Sequence, residues 1–171
     1  KRYWIVGMQF VIGVAFAGVA FTIPTSNFFQ NTLAFFWLLA FSSATHDIAA
    51  DGFYMLGLTK HEQAFNIGIR NTFYRIAMLS GESLFVMLAG QLEIVSENTN
   101  WAWSITFFII AALYISFFIW HLFILPKPKS DVKRITKSFK QAINDFSNTF
   151  ISYFKKDGIV LSVTFILIFR L

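Results

Sequence analysis

Cysteine is missing from all 171 residues, so disulfide frameworks, thiolate-bound metal and cysteine nucleophiles are excluded, and the redox compartment leaves no mark on the chain. Charge is scarce as well. Only 13% of the residues are Asp, Glu, Lys or Arg, against roughly a quarter in a soluble domain. There are three prolines, too few for a linker-rich or repeat-punctuated chain. No nucleophile with its base, metal triad or glycine-rich phosphate loop can be assembled from these residues, so the reading is of a non-enzyme with no cofactor and no metal. No nucleic-acid motif appears, and the excess of 14 Lys and Arg over 9 Asp and Glu lies between apolar runs rather than on one folded face.

Those apolar runs are what the sequence has in abundance. Hydrophobic residues make up 56%, with 23 phenylalanines, and the charges are bunched so that stretches of about twenty residues carry almost none. Such stretches predict an all-α integral membrane protein. The first span is expected at 3–23, ended by Pro24, with Gly7, Gly13 and Gly18 offering small surfaces for a neighbouring helix. The others are expected at 32–58, 64–92 and 101–125, with Trp101 and Trp103 as an aromatic belt on the fourth. Pro126 and Pro128 then open a polar segment, 126–157, and a further apolar run begins at 158–171. The Lys1 and Arg2 start resembles a signal peptide superficially, but the apolar run is about twice a signal core and no small-residue cleavage site follows. The chain is expected to begin mid-protein.

Loop charges predict the orientation, because Lys and Arg accumulate on the cytoplasmic side. Lys1, Arg2, Lys60 and the basic 126–157 segment fall on one side, while the loops at 24–31 and 93–100 hold no Lys or Arg. The basic segment carries its own pattern. Val132, Ile135, Phe139, Ile143, Phe146, Phe150 and Tyr153 recur at steps of three and four, which predicts an amphipathic helix within 130–158. Ser130 or Asp131 would cap its start and Gly158 its end. Lys133, Arg134, Lys137 and Lys140 crowd its early turns, which places the helix on the cytoplasmic leaflet with its bases near anionic headgroups; membrane lipids are thus expected partners.

Function is sought among the ionisable groups inside the spans, since a charge at bilayer depth costs roughly 2.5 to 3.5 kcal/mol even on the mildest scale. Ser43, Asp47, Asp51 and Tyr54 follow steps of four, four and three and form one polar stripe. Asn71, Arg75 and Glu82, spaced by four and seven, form a second; Arg70 lies roughly 140° from Arg75 around the helix. If these two spans are antiparallel neighbours, counting from Lys60 at about 1.5 Å per residue sets Asp51 level with Arg70 and Asp47 level with Arg75. Asp47 with Arg75 is the preferred ion pair, Arg70 packing on Asp51 or snorkelling. Three carboxylates against two guanidiniums leave one over, which makes Glu82, with Asp47, the candidate proton-coupling group. Such charges line a transport pathway or staple two helices. His46 reads more readily as a hydrogen-bonding residue among packed helices than as a relay or ligand, and His121 as interfacial.

The run Ser43, Ala44, Thr45, His46, Asp47, Ile48, Ala49, Ala50, Asp51, followed by Tyr74, Arg75, Ile76, Ala77, Met78, Leu79, Ser80 and Gly81, resembles the signature of AmpG-type muropeptide permeases of the major facilitator superfamily. The resemblance implies a helical-bundle fragment comprising the third to sixth of twelve spans, the central cytoplasmic loop, and the start of the seventh. It further implies proton-driven import of anhydromuropeptides across the bacterial inner membrane for peptidoglycan recycling, with the rest of its own transporter chain as partner. Related acetyl-coenzyme A transporters share much of the pattern. A carrier of another anionic solute and a non-transporting membrane scaffold therefore stay open.

Overall fold

Uninterrupted apolar sequence, bounded by prolines, caps and short polar turns, becomes four long helices in the computed structural model, which describes residues 1–127 and 139–170. They are α1 (Arg2–Thr22), α2 (Phe28–Gly57), α3 (Lys60–Ser96) and α4 (Thr99–Ile124). All four are long and apolar enough to cross a membrane. No strand occurs among the described residues. Large apolar side chains face outward, among them Phe41 at 67%, Phe73 at 66% and Phe123 at 78% exposure, a surface that water would not tolerate and lipid would. The chain is an all-α, multi-pass membrane protein.

Helix ends differ from the expected limits for local reasons. α3 starts at Lys60 rather than 64 because Thr59 and Glu62 form a reciprocal cap. The Thr59 hydroxyl accepts from the Glu62 amide at 3.4 Å, and the Glu62 carboxylate accepts from the Thr59 amide at 2.8 Å. It continues to Ser96, where Glu97 turns left-handed at φ 54° and Asn98 caps α4 by accepting from the Trp101 amide at 3.0 Å. At 37 residues α3 is about 55 Å long at 1.5 Å per residue, well beyond the hydrocarbon thickness. α2 begins at Phe28, four residues before the expected Thr32.

α1 is the centre of packing and lies against both α2 and α4. Ile12, Ala15, Val19 and Leu39 form the core, with Phe16, Phe35, Phe107 and Tyr114 packed around it. Small residues allow the approach. A Cβ on Gly18 would fall 2.3 Å from the Phe35 ring, and one on Gly13 would fall 2.8 Å from the Ile115 side chain, whereas Gly7 faces open space and takes no part. Ala20 is fully buried, and its carbonyl accepts the Ser104 hydroxyl at 2.6 Å, a bond across helices. α3 packs on α4 and is otherwise exposed, Ala89 being its buried residue.

The residues from 132 onward form a separate unit. Within it α5 (Phe139–Phe154) and α6 (Ile159–Arg170) are joined by a turn in which Gly158 adopts φ 76°, a conformation glycine takes without strain. Of the helix expected over 130–158, Phe139–Phe154 is seen as α5; its expected start, with Ser130, Asp131, Lys133, Arg134 and Lys137, lies outside the described residues.

Candidate functional site

The turn between α2 and α3 fixes the first group of polar side chains. Tyr54 donates to the Gln63 carbonyl at 2.6 Å, and the Gln63 amide donates to the Leu58 carbonyl at 2.8 Å, so the two helix ends are tied together. One turn further along α2 and two along α3, Arg70 donates to the Asp51 carboxylate, and its guanidinium lies 5.6 Å from the centre of the Tyr54 ring. Both members of this ion pair are about half exposed, at 53% and 52%.

The preferred pairing of Asp47 with Arg75 is not formed. It assumed that α2 and α3 run side by side, but α3 packs on α4, and α2 and α3 make no extended contact. Asp47 is 75% exposed, and its carboxylate is 3.7 Å from Nδ1 of the adjacent His46. Arg75, Asn71 and Glu82 are exposed and make no hydrogen bond or ion pair among the described residues. Ser43 is exposed on α2, while its neighbour Ser42 is buried. Asp51 and Tyr54 of the α2 stripe thus meet α3, whereas Asp47, Arg75 and Glu82 are exposed on faces that no described helix covers.

A second group was not anticipated. α1, α2 and α4 line an open cavity of about 760 Å³ at the end of the bundle that carries Lys1, Arg2 and Lys127. Its wall is mostly apolar, with Ile5, Phe53 and Leu125, and polar side chains reach it from three helices: Gln9 from α1, His46 and Tyr54 from α2, and His121 from α4. Gln9 is only 6% exposed and bonds His121, with Nδ1 of the ring 2.8 Å from the amide nitrogen and 3.0 Å from its oxygen. Nε2 of His46 is buried without a hydrogen-bond partner. An unsatisfied buried ring nitrogen on a cavity wall has a free-energy cost that a bound polar group would remove. Lys127 lines the mouth, and Arg2 donates to the Leu122 carbonyl in the last turn of α4, where a cation meets the negative helix end.

Sequence reasoning missed Gln9 and set His121 aside as interfacial. A signal was present. Gln9 lies eight residues from Lys1 and His121 six from Lys127, or about 12 and 9 Å from the same basic end, so the level-matching applied to α2 and α3 would have paired them. No group of three or more His, Asp or Glu able to hold a metal occurs among the described residues. No protein-family model, curated protein or solved structure matches the chain.

Proposed function

We propose that the chain is part of a secondary active transporter of the major facilitator type, importing muropeptide-like solutes with protons across the bacterial inner membrane. The observation that carries this reading is the set of three charges, Asp47, Arg75 and Glu82, placed on membrane-spanning helices and exposed on faces that no described helix covers. Facing lipid, each would cost roughly 2.5 to 3.5 kcal/mol, so these faces belong against water or other polar protein surface. That is the lining of a solute pathway.

In this reading Arg75 is the anchor for an anionic group of the solute, since it has no carboxylate of its own. Glu82 and Asp47, likewise outside any Asp–Arg pair, carry the coupled proton. Asp51 and Arg70 hold the α2 and α3 ends together and have a structural part. The resemblance of Ser43 to Asp51 and of Tyr74 to Gly81 to the AmpG-type signature supports anhydromuropeptides as the solute. The test is uptake of labelled anhydromuropeptide into vesicles containing the full-length protein, with a trapped pH dye. Solute entry accompanied by acidification, abolished by Arg75→Gln, is the expected result. A folded protein that moves neither solute nor protons would leave the scaffold reading in its place.

A further inference from the structure

The amphipathic character of α5 is expected from sequence, but what it recognises follows from which residues the helix places where. Ile143, Phe146, Phe150, Tyr153 and Phe154 fall within one sector roughly 100° wide at 100° per residue, and they are 45 to 71% exposed. The rings of Phe146, Phe150 and Phe154 are consecutive neighbours, with centroids 6.2 and 5.0 Å apart. The rest of the circumference carries Gln141, Asn144, Asp145, Ser147, Asn148, Thr149 and Ser152, and Ile151 falls among them. Within α5 the charged residues are Lys140 and Asp145, one of each sign. The Thr149 and Ser152 hydroxyls donate to the helix's own carbonyls, at 2.7 and 2.8 Å, and the rest of the polar side is mostly uncharged amide and hydroxyl groups.

Such a helix has a bulky aromatic face and no net charge with which to hold anionic headgroups, so the attraction must come from burying the rings. Its position supplies the surface. α6 begins five residues after Phe154, and its exposed Val160, Leu161, Phe165, Leu167 and Ile168 require lipid or protein around them. α5 is therefore tethered at the entrance to an apolar segment. We propose that α5 lies in the membrane interface and responds to the packing of the lipids, inserting Phe146, Phe150 and Phe154 where acyl chains are exposed between headgroups, and not to lipid charge. Of the bases expected on this helix, Lys133, Arg134 and Lys137 lie outside the described residues, and Lys140 is the one within α5. Lys155 and Lys156 follow the helix, and the remaining bases of the segment precede Phe139.

The test uses the full-length protein carrying Ile143→Cys as its single cysteine, labelled with an environment-sensitive fluorophore and reconstituted in phosphatidylcholine vesicles. Blue-shifted emission, quenched by nitroxide-bearing lipid, is expected in small dioleoyl vesicles and is expected to fall in large, tightly packed ones. Adding phosphatidylglycerol or molar salt should leave it unchanged. Phe146→Ser with Phe150→Ser should shift the inserted-to-released ratio at least roughly a hundredfold, since two phenyl groups lose their burial. A signal that follows phosphatidylglycerol and vanishes in salt would overturn the proposal in favour of charge recognition. A signal that lipid quencher cannot reach, or one indifferent to packing, would overturn it as well. None of these outcomes depends on whether the protein transports a solute.

Discussion

α1 and α3 are both long apolar helices, yet they are built for opposite surroundings. α1 has one charged residue, Arg2 at its first position, and buries eight residues between α2 and α4, using glycine and alanine to bring backbones close. α3 carries Lys60, Glu62, Arg70, Arg75, Glu82 and Glu93 and buries Ala89. Apolar content is therefore a poor guide to which helix is the hub of a membrane bundle. Lipid is as apolar as leucine, so small residues that permit close contact decide packing, while charges mark faces that must meet water or polar protein.

The sharpest way to break this contrast is to make the same change on both helices. Gly18→Ile should cost about 3 kcal/mol or more, because a side chain there would begin 2.3 Å from the Phe35 ring, whereas Gly68→Ile on α3 should cost under about 0.5 kcal/mol. Denaturant unfolding of the full-length protein in detergent would measure both, and equal losses would show that α3 is packed as tightly as α1. Gln9→Leu comes next, at about 1 to 3 kcal/mol, since it removes a buried amide and leaves a part-buried ring nitrogen of His121 unpaired. His121→Leu in the same protein should recover part of that loss, and simple additivity of the two would show that the bond contributes nothing.

Smaller effects belong to the helix that is less covered. Thr59→Ala removes the cap of α3 and should cost about 1 kcal/mol, visible as fraying of the α2–α3 turn in hydrogen exchange. Asp51→Asn and Arg70→Gln should couple by about 0.2 to 1 kcal/mol, the range for half-exposed pairs. Asp47→Asn and Arg75→Gln should be additive within about 0.5 kcal/mol. Coupling between that second pair, and none in the first, would mean that α2 and α3 lie side by side after all.

Much of this was legible in the residues. The four spans, the polar stripes, the Pro24 break and the amphipathic period of α5 follow from patterns a few residues long, where chain geometry alone sets which side chains share a face. Matching levels along antiparallel helices also located Asp51 against Arg70. It failed for Asp47 and Arg75 because level says nothing about which helices are neighbours. The same limit hid the cavity: Gln9, His46 and His121 are 37 and 75 residues apart in succession, and each alone is a single polar residue in an apolar run.

By itself, then, the sequence determined what is local. Long uncharged runs can satisfy their backbone in lipid only as helices, the caps at Thr59 and Asn98 set where two of them begin, and residue spacing sets the faces. Only the tertiary structure decided that α1 stands between α2 and α4, that α3 leaves α2 for α4, and that three separated polar residues meet around one cavity. The physical reason is that helix pairing in an apolar solvent depends on small differences in shape, such as Gly18 against Phe35, which no single helix's periodicity contains.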